Sequence, residues 1–376
     1  MRICITRTEK DRYSETFLLN QIKELANHAT IFPVHGGRLP QRNNDDTLLS
    51  SRFFWIMHNI AKTISGKRNN YFGNHGLKNF LRENKIDIVL ANYGFAAVHI
   101  LPVCRILNLP LVVHFHGFDA TQQKILKQYK EAYKTLFKEA AGIIAVSADM
   151  KNKLVSLGAA EDKISLIPYG IDVQKFSPAY PKKQEALFLC VGRLIEKKSP
   201  QSTIHAFAKT KQLHNNAKLV MIGEKSGLYE NCAELVKELG LENDVVFTGI
   251  QNAAEIINYM HEANIFVQHS VTAANGDMEG TPNTILEAAA CGLPVVSTKH
   301  AGIKEAVLNG KTGFLIDEHD VDGMAKYMIE LIEKPLLAKE MGLAGRRRIE
   351  ENYDLHKQSK KLYNVLQQAV NKKQER

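Results

Sequence analysis

Short runs of consecutive apolar residues alternate along this chain with longer stretches whose apolar positions recur every three or four residues. Runs at 2–6, 30–34, 87–91, 111–115, 142–147 and 164–168 predict strands. A second set at 187–191, 218–222, 245–248, 265–268, 294–297 and 313–316 repeats the rhythm. Near-continuous apolar runs suit strands buried on both faces, and the helical patterns between most of them predict parallel sheets wound on both sides. Prolines and lysines break the pattern in PYGIDVQKFSPAYPKKQ, residues 168–184, which marks a domain boundary. The expected fold class is α/β: two doubly wound domains, 1–175 and 176–354, facing a central cleft, with ligands beyond the carboxyl ends of the strands. Leu355, Leu362, Val365 and Leu366 recur at helical spacing, predicting an amphipathic terminal helix over 355–376.

Composition agrees with this picture. At 376 residues, with 44% hydrophobic and 24% charged residues, the chain is long enough for two cores and too apolar to be disordered. No apolar run approaches a membrane span and MRICITRTEK has no signal-peptide core, so a cytoplasmic protein is expected. Five scattered cysteines (Cys4, Cys104, Cys190, Cys232 and Cys291) form no C-x-x-C pair, which predicts reduced thiols and neither a disulfide framework nor a zinc site.

Charge changes the picture more. Through Tyr180 there are 24 Lys and Arg against 15 Asp and Glu, a net +9, whereas the remainder has 25 of each. A basic half beside a neutral half implies an anionic partner for one domain. Nucleic acid is not expected, because no helix-turn-helix, zinc finger or aromatic RNA-binding signature is present. An anionic membrane surface or a phosphate-bearing lipid fits better. In SSRFFWIMHNIAKTISGKR, Phe53, Ile56 or Met57, Ile60 and Ile64 share one helical face beside the basic Arg52, Lys62, Lys67 and Arg68. That face is either first-domain core or an interfacial helix.

Candidate chemistry centres on EGTPNTILEAAACGLP, residues 279–294. Thr281 is the predicted N-cap, Pro282 the first helical residue, and Gly292 with Pro294 the stop. The N–H groups of 281–284 are then available to an anion or polar ligand. Glu279 lies just before the helix and Glu287 within it, among small apolar residues. Either Glu287 bonds to a protein group and Glu279 is exposed, or both carboxylates reach a ligand.

Two strand ends add further groups. In LVVHFHGFD, residues 111–119, His114 and His116 point to one face of a strand. Core packing, a metal pair or a ligand contact by His116 at the strand's end are all compatible with this spacing, and Asp119 can cap the next helix. In LCVGRLIEKKSP, residues 189–200, Arg193 and Lys198 occupy a strand-to-helix turn, where two cations can neutralise a diphosphate. Ser14 in KDRYSETFLLNQIKEL is the predicted cap of an amphipathic helix. NGKTG at 309–313 lacks the earlier glycine of a P-loop, because Glu305 holds that place.

The two glutamates, separated by seven residues within SVTAANGDMEGTPNTILEAAACGLPVVST (270–298) and followed by AGIKEAVLNGKTGFLI (301–316), resemble the E-x7-E signature of retaining GT-B glycosyltransferases of the fourth sequence family. The resemblance implies that Glu287 binds the donor ribose and Glu279 lies by the transferred sugar. His116 with Gly117 and Asp119 resembles the family's H-G-x-D element, implying a contact from His116 to the donor sugar. Arg193 and Lys198 match its G-R-L-x-x-x-K-G element, with Ser199 in place of the usual glycine. Many relatives carry a glycine-rich turn where this chain has Tyr13, Ser14, Glu15 and Thr16, which makes it more similar to the exopolysaccharide and colanic-acid-type branch. The resemblance also implies that the terminal helix crosses back to the first domain.

The expectation is a retaining hexosyltransferase that moves a sugar from a nucleoside-diphosphate donor, with UDP favoured and GDP-mannose the alternative. The acceptor is a saccharide or polyprenyl-diphosphate-linked saccharide in surface polysaccharide assembly. Glu279, His116, Arg193 and Lys198 are the expected catalytic residues. Arg193, Lys198, Thr281, Pro282, Asn283, Thr284 and Glu287 are expected to bind the donor, without a metal or other cofactor. A sugar-nucleotide epimerase on the same fold and a non-catalytic sugar-binding protein are the alternatives.

Overall fold

The computed structural model of the protein describes residues 1–10, 15–51, 53, 56, 60, 71–179 and 186–374. They divide into two compact units, Met1–Pro168 with Leu355–Arg376, and Tyr169–Asp354.

The first unit contains β1 (Arg2–Thr6), β2 (Thr30–His35), β3 (Arg42–Asn43), β4 (Ile88–Asn92), β5 (Leu111–Phe115), β6 (Gly142–Ala145) and β7 (Ile164–Leu166). Across the sheet the order is β3-β2-β1-β4-β5-β6-β7. Every neighbouring pair is parallel except β2 with β3. The two residues of β3 are Arg and Asn, so no apolar run announces this edge. The connecting helices are α1 (Thr16–Leu25), α2 (Tyr71–Glu83), α3 (Gly94–Ile106), α4 (Phe118–Thr121), α5 (Gln123–Glu139) and α6 (Ala148–Ser156).

The second unit has six parallel strands: β8 (Leu187–Val191), β9 (Lys218–Ile222), β10 (Val245–Gly249), β11 (Ile265–Gln268), β12 (Val295–Thr298) and β13 (Gly313–Ile316). Their order is β10-β9-β8-β11-β12-β13. Around them lie α7 (Pro200–Leu213), α8 (Tyr229–Glu238), α9 (Ala253–Glu262), α10 (Asn283–Ala290), α11 (Ile303–Ala306), α12 (Val321–Glu333) and α13 (Pro335–Asn352). In each sheet the direction of winding reverses beside the first strand, between β1 and β4 and between β8 and β11. That reversal opens a crevice at the carboxyl ends of those strands.

Small residues decide how closely α10 can be packed. Ile285, Leu286, Ala288 and Ala290 are fully buried, and α10 lies directly on α13. A Cβ added at Gly342 of α13 would run into the Gly292 carbonyl oxygen, so only glycine allows this approach.

Residues 169–175, expected in the first domain, belong to the second. Ile171, Val173 and Phe176 are buried in its core, and Ile171 N–H donates to the Tyr353 carbonyl at 2.7 Å. Arg346 of α13 donates to the carbonyls of Val173, Phe176 and Ala290 at 2.8, 2.5 and 2.8 Å, tying this segment to the end of α10.

After Asp354 the chain forms α14 (Leu355–Gln374), which belongs to the first unit and packs on α1. The β1, β4, β5 and β6 residues alternate between two cores. Cys4, Val89, Val113 and Ile143 lie on one side of the sheet. Ile3, Ile5, Ile88, Leu90, Val112 and Ile144 lie on the other, covered by Leu362, Leu366 and Ala369 of α14.

Phe53, Ile56 and Ile60 are helical and 66, 42 and 44% exposed. First-unit core is therefore the wrong reading for these three side chains. Met57, Ile64, Arg52, Lys62, Lys67 and Arg68 lie outside the described residues, as do Tyr13 and the predicted cap Ser14. All five cysteines are buried and unbridged.

Candidate active site

In the second unit, β8 ends at Val191 and the chain turns through Gly192 and Arg193 into a 3₁₀ turn, Glu196–Lys198, before α7. Ser199, which closes that turn, has φ 38° and ψ 57°. This left-handed conformation favours glycine, which gives the family's usual residue at this position a physical reason. Ser199 keeps the conformation, and its hydroxyl lies 2.8 Å from that of Ser202.

The turn aims Lys198 back at the sheet's carboxyl edge. Its Nζ lies 3.2 Å from Glu279 Oε1 and donates to Gln268 Oε1 at 3.2 Å. Burial opposes the charge on Glu279, but Lys198 and Lys197 outweigh it and hold its pKa at about 2. Burial lowers the pKa of Lys198, with Glu279 acting against that shift. Arg193 is half-buried on the same turn, and its guanidinium has no hydrogen-bond or ion-pair partner among the described residues. A buried ion pair and an uncommitted guanidinium thus lie near the crevice between β8 and β11.

Helix α10 begins one residue later than the sequence predicts. Pro282 is the cap, with φ −63° and ψ 117°, and no side chain caps the helix. Thr281 is buried in the approach. The first intrahelical donors are the N–H groups of Ile285 and Leu286, both to the Pro282 carbonyl. Those of Asn283 and Thr284 precede them and find no partner within the helix. The Thr284 hydroxyl donates to Gln268 Oε1 at 3.3 Å, so one amide oxygen joins the Lys198 turn to the helix start. Glu287, one turn further on, is half-buried. Burial pushes its pKa up to about 7, with Lys175 pulling the other way. Its carboxylate hydrogen-bonds to no described residue.

The loop that carries Glu279 is held from both sides. Glu196 Oε1 accepts Ala274 N–H at 2.6 Å, and Lys197 Nζ donates to Asp277 Oδ1 at 3.1 Å and to the Met278 carbonyl at 3.3 Å. From the opposite side Glu279 N–H donates to His300 Nε2 at 3.1 Å, while His300 Nδ1 meets Glu318 Oε1 at 2.6 Å. Glu318 Oε2 in turn accepts Thr272 N–H at 2.8 Å. These partners assign the proton to His300 Nδ1. Sequence reasoning missed Gln268, Lys197, His300 and Glu318. Gln268 alone left a trace, as the polar last residue of the apolar run IFVQ.

In the first unit His116 follows β5 and is 8% exposed. Its Nε2 lies 2.9 Å from Asn92 Oδ1. Asn92 Nδ2 donates to the Thr6 carbonyl at 3.1 Å and to Gln21 Oε1 at 3.2 Å, so the His116 contact is an N–H donated to the amide oxygen. Gln21 Nε2 lies 3.1 Å from His114 Nδ1. Burial, with His114 nearby, lowers the His116 pKa well below the usual value, and burial takes His114 to about 3. Both imidazoles are therefore neutral at pH 7, with centroids 4.3 Å apart. Among the described residues, no group of three His, Cys, Asp or Glu side chains is placed to hold a metal.

Asp119 does more than begin a helix. Oδ1 accepts the N–H groups of His116 and Gly117, both at 3.0 Å, and Oδ2 accepts that of Gly94 at 2.9 Å. It joins the carboxyl end of β5 to the start of α3. Burial pushes its pKa up to about 6 against the pull of these donors. Gly117, with φ 138° and ψ −94°, adopts a backbone conformation open to glycine.

The profile described as Glycosyl transferases group 1 matches residues 172–348, and Glycosyltransferase Family 4 matches 14–175. The chain is 32% identical over 291 residues to the amylovoran biosynthesis glycosyltransferase AmsK of Erwinia amylovora, covering 76% of this chain and 70% of AmsK. The chain belongs to the group 1 glycosyltransferases.

This glycosyltransferase also resembles a Corynebacterium glutamicum GDP-mannose-dependent monoacylated alpha-(1-6)-phosphatidylinositol monomannoside mannosyltransferase. The identity is 26% over 309 residues, covering 78% of this chain and 79% of the relative. Its fold is that of Anabaena HepE, solved in complex with UDP-glucose, at a TM-score of 0.76 and 18% identity. The match covers 98% of this chain and all of HepE.

Proposed function

We propose that this glycosyltransferase transfers a hexose, with retention, from a nucleoside-diphosphate sugar to a saccharide or lipid-linked saccharide during surface-polysaccharide assembly. The observation that carries this reading is the Lys198–Glu279 ion pair, bridged by Gln268 to the start of α10, beside the uncommitted Arg193. The likeness to AmsK, an amylovoran biosynthesis glycosyltransferase, supports the place in polysaccharide assembly. UDP is the favoured nucleotide, as in the HepE complex, and GDP-mannose is the alternative that the corynebacterial relative supports.

Residue roles follow from charge and position. Departure of the nucleotide places negative charge on a diphosphate, which Lys198 and Arg193 are placed to stabilise through preorganised cations. The Asn283 and Thr284 N–H groups offer a second anion contact. Glu287 binds the ribose hydroxyls in this reading, and its uncommitted carboxylate suits two neutral donors. Glu279 stays ionised beside the transferred sugar, and the family motif assigns His116 to the same sugar. No covalent nucleophile is assigned, and the acceptor attacks on the face from which the phosphate leaves.

No helix among the described residues is long and apolar enough to cross a membrane. The exposed Phe53, Ile56 and Ile60, in a half of the chain with net charge +9, support peripheral contact with an anionic membrane.

The deciding experiment incubates the full chain with UDP- and GDP-sugars, with and without saccharide acceptors. It scores nucleotide release and the anomeric configuration of the product. Acceptor-dependent release with retained configuration is expected. Interconversion of donors without release, or binding without either, would overturn the proposal.

A further inference from the structure

Outside the residues already assigned, the first unit holds a cation in an aromatic cradle. Arg38 lies three residues beyond β2, at the carboxyl edge of the sheet that also carries His116. Its guanidinium carbon is 5.7 Å from the Phe95 ring centroid and 5.4 Å from that of Tyr129. Nη1 donates to the Tyr129 hydroxyl at 2.6 Å. That hydroxyl, which accepts from Arg38, also lies 3.1 Å from His99 Nε2.

The cradle itself is firmly built. Tyr129, Phe95 and His99 are 3, 6 and 9% exposed, whereas Arg38 is half-buried. Phe95 stacks on Tyr93 at 5.4 Å, and Tyr93 meets His116 edge-on at 4.8 Å. The rings therefore form a continuous path from Arg38 to the imidazole assigned to the donor sugar. Tyr93 has φ 72° and ψ 129°, a conformation that costs a non-glycine residue and persists where the surroundings impose it.

A guanidinium has five N–H donors, and Tyr129 takes one of Arg38's. Among the described residues no carboxylate pairs with Arg38. The remaining N–H groups are the part that recognises carboxylate or phosphate by paired hydrogen bonds. Two glycines with φ 105° and 104°, Gly36 and Gly37, lead into it, giving a turn without bulky side chains just before the cation.

We propose that Arg38 is an acceptor-selecting residue that binds an anionic oxygen group on the acceptor, either a sugar carboxylate or the phosphate linking the saccharide to its carrier. The inference rests on the glycosyltransferase reading above and adds an acidic acceptor class to it.

The test titrates the full chain with matched probes while saturating UDP, and in parallel GDP, occupies the donor cations. One arm compares methyl glucuronide with methyl glucoside. The other compares farnesyl-diphosphate-linked glucose with a neutral farnesyl ether of glucose. In at least one arm the charged member is expected to bind about 10- to 100-fold more tightly, the scale of a hydrogen bond to a charged group. Arg38→Gln should abolish that preference, and Tyr129→Phe, which frees the cation from its tether, should weaken it. The arm that responds identifies carboxylate or phosphate as the source. Equal binding of charged and neutral members by the unaltered protein in both arms would overturn the proposal. So would a preference that survives Arg38→Gln. Failure to bind either nucleotide or release it from any donor would instead strike the catalytic reading.

Discussion

The backbone N–H of Glu279 donates to Nε2 of His300 at 3.1 Å, and His300 is itself anchored through Nδ1 to Glu318 at 2.6 Å. The imidazole side chain is fully buried. His300 is thereby a positioning residue: it touches the loop that carries Glu279 and orients its backbone. His300→Ala leaves a buried donor unpaired, at a cost of about 1–3 kcal/mol. We expect kcat to fall at least tenfold with donor KM changed far less, and His300→Gln, which offers an oxygen at the same reach, to restore part of it. A wild-type kcat in His300→Ala would remove the role.

Arg193 and Lys198 should separate in their effects. Arg193→Ala removes an uncommitted cation, so turnover is expected to fall with little change in melting temperature. Lys198→Ala also strands the buried Glu279 carboxylate, and breaking such a pair typically costs about 3–5 kcal/mol of stability. Losing a preorganised charge contact costs about 2–4 kcal/mol in the barrier, a rate defect of roughly a hundredfold or more for each variant. Near-normal turnover with both replaced would refute the diphosphate role.

The two glutamates of the signature should respond to pH in opposite senses. Glu279 has its pKa held at about 2 against an ordinary 4.5. Its contribution to stability is full above 4.5 and lost as pH falls towards 2. Glu287, raised to about 7 from 4.5, contributes stability that is full below 4.5 and lost as pH rises through 7. Glu287→Gln should therefore flatten the decline in melting temperature of the nucleotide-free protein between pH 4.5 and 7. An unchanged slope in that variant would show that Glu287 does not titrate there.

Activity is expected to persist in excess EDTA. The motive is positive: Lys198 and Arg193 supply the charge that a divalent ion would otherwise bring to a leaving diphosphate. Loss of turnover in EDTA, restored by Mg²⁺ or Mn²⁺, would contradict this and return attention to His114 and His116.

Anionic liposomes should retain the full chain at low salt and release it as salt rises, because each well-placed Lys or Arg contributes about 1 kcal/mol near such a surface. Since Phe53 and Ile56 are exposed, Phe53→Ser and Ile56→Ser should weaken retention while leaving the melting temperature nearly unchanged. Sedimentation without binding at low salt would exclude the membrane contact.

Much of this protein was legible in the sequence because its determinants are local. Two sets of apolar runs specified the parallel strands of two sheets, since a strand buried on both faces needs little else to declare itself. The E-x7-E stretch located α10, and the G-R-L-x-x-x-K spacing placed Arg193 and Lys198 on one turn. Tertiary structure decided what those groups touch. Gln268 joins Lys198 to Thr284, while His300 reaches Glu279 from 21 residues away. Neither contact has a periodic or spacing signature, because each depends on strand order rather than on neighbours in the chain. The same holds for Arg38, whose cradle is built from α3 and α5, and for residues 169–175, which the Arg346 clasp draws to the second unit. The exposure of Phe53, Ile56 and Ile60 was open for a related reason. An apolar helical face has one pattern whether it meets a core or a surface, and only the packing around it tells the two apart.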